Sequence, residues 1–431
     1  MLAGYWPASL NFHRNVRANL PQRSNSASRK VLLNTWEAVY FDHDEEKLKN
    51  LADLAASVGV ERFVLDDGWF AGRRNDKTSL GDWWVSPEIY PNGLAPLISH
   101  VRKLGMDFGI WVEPEMISED SELFRMHPDW ALVSPDYEPV RSRNQLVLNL
   151  VHVPAYEYVF SKLDKLLSEN EILFIKWDMN RPHVQATLKS GAAGTHEQTL
   201  AFYKLVDQLR EKHRHIEIES CSSGGGRIDH EILRRTDCVW TSDCIDPYRR
   251  QKIQRGASMF IPNEVMGAHI GAEKAHTTSR VHSLEFRAIS AVFGHLGLEL
   301  DLTICSQSEL QLIKQAIDWH KKFRGLLHSG DAVRFDSESA SQISHGVYSH
   351  DRNEALVSLV QLTETKQGED AEFLRLPGLD SDRRYRVAAL DSNFVTSRDV
   401  GEYTGQQLAN TGLKLSKMHP ETGTIFHLLS I

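Results

Sequence analysis

The stretch FIKWDMNRPH, residues 174–183, begins as an apolar strand and ends in Lys176, Asp178, Asn180 and Arg181. Residues two apart on a strand share a face. Lys176 and Asp178 therefore project side by side from the end of a buried run, a costly pairing unless it serves a site. A second acid, Asp243, closes the run DCVWTSD (237–243). Two carboxyls facing each other across a cleft suit cleavage of a glycosidic bond: one attacks or stabilises the developing oxocarbenium ion, the other donates and then takes back a proton. Lys176 beside Asp178 favours the ionised carboxylate that a nucleophile needs. The alternative is a salt bridge at a strand end.

Other stretches bear on the same chemistry. VLDDGWF (64–70) sets Asp66 and Asp67 before Gly68 and Trp69, which suits acceptance of hydroxyl hydrogens or, alternatively, a helix cap or turn. ESCSSGGGRID (219–229) is glycine-rich, but neither GxxxxGK[ST] nor GxGxxG is present, so it does not read as a phosphate cradle. Its glycines instead let backbone approach a ligand closely. Cys221 within it lacks a clear His/Asn partnership for thiol catalysis. The chain has no HExxH, no HxH closing the first strand and no GxSxG elbow, so neither metal-assisted nor Ser-His-Asp hydrolysis is expected, and no cofactor.

The elements that would position these residues form a rhythm. Apart from polar, irregular residues 1–30, with RSNSASR (23–29) reading as a linker, short β-rich runs alternate with helical ones. The runs are VLLNTW (31–36), RFVLDD (62–67), DFGIWVE (107–113), QLVLNL (145–150), ILFIKWD (172–178), HIEIES (215–220), DCVWTSD (237–243) and NEVMGAH (263–269). Helical stretches such as 44–59, 154–169 and 197–213 separate them, and helices continue to about residue 325. The alternation predicts parallel strands joined by helices. Eight runs predict an α/β fold, a (β/α)8 TIM barrel over 31–329, with Asp178 ending the fifth strand and Asp243 the seventh. Charged residues gather at strand ends (Glu37, Asp66, Asp67, Glu113, Asp178, Glu219, Asp243), where barrels place their active sites. Residues 330–431 change character: HGVYSH, EALVSLVQL, RYRVAAL and GTIFHLLS predict a small C-terminal antiparallel β-sandwich domain.

Composition is that of a globular chain of 431 residues, 41% apolar and 25% charged, with a formal net charge of -9. No dense basic block points to nucleic acid. No apolar run approaches the roughly 18 residues of a membrane helix. The four cysteines follow no disulfide or CxxC spacing, and the start lacks a signal-peptide pattern, so a cytoplasmic location is expected. Of the 10 tryptophans, those beside carboxylates and glycines (Trp69, Trp83, Trp84, Trp111, Trp177, Trp240) suit a sugar, or else the core.

Taken together, NTWEA (34–38), FVLDDGWF (63–70), GIWVEPEMIS (109–118), KWDMNR (176–181), ESCSSGGGR (219–227), TSD (241–243), KIQRG (252–256) and MGAH (266–269) closely resemble glycoside hydrolase family 36 α-galactosidases. The resemblance covers roughly residues 12–431. It implies retaining, exo-acting hydrolysis of terminal α-galactosides such as raffinose or melibiose, without metal or cofactor. By motif position it implies Asp178 as nucleophile and Asp243 as general acid/base. Asp66 and Asp67 would bind galactose hydroxyls at C4 and C6, Trp111 would stack on the sugar, and Arg143, Lys176 and Asn180 would contact hydroxyls. Cys221 and Gly224 would line the wall near C2. A homo-oligomer is also implied. Two departures stand out. The family reads S-D-N-T-D where this chain has SDCIDP, with Cys244 and Ile245 in place of Asn and Thr. Family members also carry a large N-terminal β-sandwich domain, and NFHRNVRANL (11–20) resembles its tail, so a short form is expected. Three readings follow: an active α-galactosidase; an α-N-acetylgalactosaminidase or galactosyl-transferring relative; and a sugar-binding or inactive fragment.

Overall fold

The computed structural model describes residues 6–21, 29–336, 339–364 and 373–431. Eight strands close a parallel barrel: β1 (Leu32–Asn34), β2 (Arg62–Leu65), β3 (Asp107–Val112), β4 (Phe174–Trp177), β5 (Glu217–Ser220), β6 (Cys238–Trp240), β7 (Met266–Gly271) and β8 (His295–Glu299), each beside its neighbour in chain order. The expected barrel is therefore present, but its membership differs from the sequence reading. QLVLNL is not a barrel strand. Its Leu146–Val147 pairs antiparallel with Met116–Ile117 in a separate two-stranded ribbon. The eighth barrel strand is HLGLE (295–299), within the stretch read as continuous helix. A short apolar run looks alike in a barrel and in a buried ribbon, so periodicity cannot separate them. Asp178 accordingly follows the fourth strand and Asp243 the sixth.

A second correction concerns the N-terminus. Trp6–Asn19 is a helix, not irregular chain, and it buries Ser9, Leu10, His13 and Val16. Its few apolar residues hide the period, and long-range anchors hold it. Trp6 Nε1 donates to the Ala332 carbonyl at 2.9 Å, and Arg17 pairs with Glu264 at 2.7 Å. The linker read at 23–29 lies, except for Arg29, outside the described residues.

The described residues fall into two compact units: Leu32–Asp243 with Glu299–Ile304, and Met1–Val31 with Cys244–Leu298 and Cys305–Ile431. The first holds six barrel strands whole. Helix Glu45–Val58 shows how local sequence sets boundaries there. Asp44 caps its start by accepting from the Lys47 N–H at 2.8 Å, and Gly59 ends it at φ +98°. Leu32, Val64, Phe174 and Cys238 pack together on β1, β2, β4 and β6. Gly109 on β3 makes room for them: a Cβ there would lie 3.0 Å from the Phe174 ring and 3.1 Å from Val64. At the N-terminal end of β2 the buried Arg62 pairs with Glu217 at 3.0 Å and Asp107 at 3.5 Å, and lies 4.6 Å over the Phe174 ring. A buried cation needs such partners, and here they belong to the two strands β3 and β5.

The second unit contains a six-stranded sheet in the order 331–335, 342–348, 354–361, 422–430, 384–390 and 397–404, with antiparallel pairing throughout. A two-stranded pair, Phe373–Leu374 with Leu413–Lys414, accompanies it. Val333, Tyr348, Val357, Tyr385, Val387, Leu374, Leu413 and Leu428 form a shared core. The four runs read from sequence are all strands, while 331–335 and 397–404 were not read. The latter is exposed or half-buried along its whole length, so it carries no strong alternation to detect.

Candidate active site

The chemistry gathers where β2 to β6 end. Asp66 and Asp67 follow β2 and part company, as neighbours on an extended chain must. Asp66 accepts the Lys176 ammonium at 2.8 Å, while its own backbone N–H donates to Thr35 Oγ1 at 2.9 Å. Asp67 takes a two-pronged bond from Arg73, Nε at 3.0 Å and Nη2 at 2.8 Å. Burial pushes the Asp67 carboxyl upward, and Arg73 holds it back. Lys176 was expected to support Asp178, but its ammonium is bonded to Asp66. Burial works against that charge, yet the negative charges of Asp66 and Glu299 outweigh it and raise the Lys176 pKa well above its usual value.

Asp178 is held instead by three N–H donors. Trp111 Nε1 and Asn180 Nδ2 reach its Oδ2 at 3.2 and 2.7 Å, and the Met179 backbone N–H reaches Oδ1 at 2.8 Å. The Trp111 ring is only 2% exposed and stacks on Phe70, with centroids 6.3 Å apart at 11°. Its structural contact with the site is thus its indole edge on Asp178. Trp69, Trp83, Trp177 and Trp240 are buried as well. Asn180 is oriented by its other bonds: Arg143 Nη1 donates to its Oδ1 at 2.6 Å and Ser223 Oγ at 3.3 Å. Arginine can only donate, so the amide oxygen must face it and the NH₂ must face Asp178. Arg143 sits at φ +52° and Asn144 at φ +59°. This tight left-handed turn lies between β3 and β4, just ahead of the ribbon strand Leu146–Val147.

Asp243, three residues beyond β6, accepts from Trp240 Nε1 at 3.1 Å. It lies at the solvent-exposed rim, yet surrounding protein strips its carboxyl of hydration. That desolvation raises its pKa, and the negative charge of Asp178 adds to the effect. Cys221 is buried and its thiol is pushed well up by burial and by Asp178 and Asp243, which keeps it protonated and unsuited to nucleophilic attack. Gly224 has φ +82°, and a Cβ there would sit 2.6 Å from the Asp243 backbone nitrogen and 2.7 Å from Ser242 Cα. Only glycine fits, and it sets where the Asp243 backbone runs. Gly224→Ala is expected to cost about 1–3 kcal/mol of stability from strain and to lower kcat roughly 10–100-fold by displacing the acid. Thermal melting and steady-state kinetics would check this, and a wild-type kcat would contradict it.

In the second unit, which the chain re-enters at Cys244, the residues that depart from the family pattern also have partners. Thr277 Oγ1 donates to Cys244 Sγ at 3.2 Å. Ile245 is buried, and a Cβ on Gly271 would lie 2.7 Å from its Cγ2.

The sequence reading therefore named Asp66, Asp67, Trp111, Arg143, Lys176, Asp178, Asn180, Cys221, Gly224 and Asp243, and these residues share one hydrogen-bonded and electrostatically linked neighbourhood. It missed Thr35, Arg73, Gln145 and, as a site residue, Glu113. Arg73 lies in GRR, six residues beyond Asp67, with no periodic signal. Glu113 was visible only as a strand-end acid. It is fully buried, and its Oε1 accepts from Gln145 Nε2 at 2.7 Å and from the Asn180 backbone N–H. Burial and the charge of Asp178 push its pKa up to about 8. Glu219, on β5 near Lys176, is likewise raised by burial, to about 7.

Residues 3–330 match the melibiase family model, and residues 342–428 match the glycosyl hydrolase family 36 C-terminal domain. The chain belongs to glycoside hydrolase family 36. Within it, the chain is 43% identical to an α-galactosidase of Escherichia coli, over 97% of this chain and 61% of that protein. It is 38% identical to α-galactosidase AgaA of Geobacillus stearothermophilus, over 94% of this chain and 55% of AgaA. The crystal structure of AgaA covers 99% of this chain with a TM-score of 0.93, at 36% identity, using 59% of its own length. Variants of AgaA have been crystallised in complex with raffinose and with stachyose. The family 36 chain described here thus spans about three fifths of the length of the relatives it matches. Among its described residues no helix is long and apolar enough to cross a membrane.

Proposed function

We propose that this chain is a retaining, exo-acting α-galactosidase that hydrolyses terminal α-linked galactose from oligosaccharides of the raffinose type. The observation that carries the proposal is the contrast between its two acids. The Asp178 carboxylate faces three N–H donors, which suits a group that must act as an anion. Asp243 has its pKa raised by desolvation from the surrounding protein and by Asp178, which suits a proton donor. A carboxylate held by N–H donors opposite a carboxyl that retains its proton suits an acid/nucleophile pair.

In the first step an oxygen of Asp178 attacks the anomeric carbon as Asp243 protonates the departing glycosidic oxygen. Oδ2 already takes two side-chain donors, which leaves Oδ1, with one backbone donor, as the attacking atom. In the second step Asp243 removes a proton from water, which attacks the galactosyl–Asp178 ester. Asp178 directly follows β4 and Asp243 lies three residues beyond β6, two strands away in the barrel. Retention requires the two carboxyls to stand roughly 5–5.5 Å apart. Asp66, Asp67, Lys176, Arg143 and Asn180 are the proposed partners of the galactose hydroxyls. The complexes of AgaA with raffinose and stachyose support this substrate class. Proton NMR of the first-formed sugar tests the proposal: α-galactose is expected, and β-galactose as first product would require a different geometry.

A further inference from the structure

Beside the nucleophile lies a carboxyl that the reaction outlined above does not use. Glu113 ends β3 and is fully buried. Its Oε1 is shared by the Gln145 amide, at 2.7 Å, and the Asn180 backbone N–H. Its Oε2 is buried with no hydrogen-bond partner. A carboxylate buried with one bare oxygen beside a second carboxylate is unfavourable. A protonated carboxyl is far less so, with Oε1 accepting and the proton on Oε2. Asn180 in turn places its amide on Asp178 Oδ2 at 2.7 Å.

Resting on the α-galactosidase reading, we propose that Glu113 is a positioning residue for galactosyl transfer: as a neutral acceptor it pins the Asn180 backbone, and through the Asn180 side chain it orients the Asp178 carboxylate toward the anomeric carbon. No atom of Glu113 needs to touch the substrate. The chain of contacts runs from Gln145 Nε2 to Glu113 Oε1, from the Asn180 N–H to that same oxygen, and from Asn180 Nδ2 to Asp178 Oδ2. Arg143 and Ser223 fix the amide from its other side. The segment leading into the ribbon strand Leu146–Val147 thus carries two of the supports, Arg143 and Gln145. The raised pKa of Glu113, about 8, agrees with a neutral carboxyl at neutral pH.

Glutamine reproduces a protonated glutamate closely: its oxygen replaces Oε1, and its NH₂ replaces the protonated Oε2. In the full chain, assayed on an aryl α-galactoside, Glu113→Ala is expected to lower kcat about 30–100-fold with KM changed less than about threefold. Glu113→Gln is expected to stay within about fivefold of wild type. Because the effect passes through Asn180, Glu113→Ala placed in an Asn180→Ala background should add less than about twofold, a non-additivity that general loss of stability would not produce. In a crystal structure of Glu113→Ala, the Asn180–Asp178 contact should open beyond about 3.5 Å. Wild-type kcat in the alanine variant, full additivity with Asn180→Ala, or an unmoved contact would each overturn the proposal. Should the alanine variant fail to fold, a folded Glu113→Gln variant that loses more than about 100-fold would overturn it, since the acceptor alone would then not suffice. If the wild-type chain turns over no α-galactoside, the functional reading falls, and the crystallographic contact still decides whether Glu113 positions Asn180.

Discussion

Replacing Asp178 with alanine is expected to lower kcat on any α-galactoside by about 10⁴-fold or more, equivalent to about 5.4 kcal/mol of transition-state stabilisation. On the proposed mechanism the variant removes the atom that forms the covalent intermediate, and no neighbour is placed to substitute for it. Cys221 is buried with its thiol pushed up, and Asp66 and Asp67 are engaged by Lys176 and Arg73. The fold should survive, because Asp178 bonds only to N–H donors within its own site. Leaving the Trp111 and Asn180 donors without an acceptor costs about 1–3 kcal/mol, small for a barrel of this size. The measurement is turnover of an aryl α-galactoside beside the far-ultraviolet circular dichroism spectrum. Residual activity near wild type in a folded variant would remove Asp178 from the nucleophile role.

Asp243→Asn should behave differently, and the difference identifies the acid. Substrates with poor leaving groups, such as raffinose, should slow by about 10²–10⁴-fold, because the departing oxygen then leaves without a proton. Activated aryl galactosides do not need that proton, so their first step should be nearly unaffected and the galactosyl-enzyme should accumulate, seen as a burst of phenol. Equal slowing on both substrate types would count against the assignment. The pH profile carries a signed expectation. Desolvation by the surrounding protein and the charge of Asp178 raise the Asp243 pKa, so its proton is retained to higher pH than an ordinary aspartate would hold it. kcat/KM on raffinose should therefore fall only as pH rises through that raised value. The asparagine variant, having no proton to lose there, should lack that alkaline limb.

What the sequence determined by itself is chiefly local. Runs such as FIKWD and RFVLDD announce strands that end in acids, and the strand-end rule for barrels turns those acids into a site. The order of the motifs resembles that of family 36, and that resemblance implies one chemistry for Asp178, Asp243 and the Asp66–Asp67 pair. The helix at Glu45–Val58 was legible because its caps, Asp44 and Gly59, are written in the chain. Which apolar run enters the barrel was not legible. QLVLNL, read as a barrel strand, pairs in a ribbon, and HLGLE, within a stretch read as helix, is the eighth barrel strand, because a short buried apolar run looks alike in a barrel strand, a ribbon or a buried helix. Partnership was equally closed to sequence. Lys176 and Asp178 share a strand face, yet the ammonium bonds to Asp66, which stands 110 positions away in the chain. Glu113 gains its contact with the Asp178 neighbourhood through Asn180, 67 positions on. A hydrogen bond or an ion pair is fixed by distance in space. Residue types and their periodicity decide which faces are buried and which carry charge, but only the closed barrel decides which charges meet.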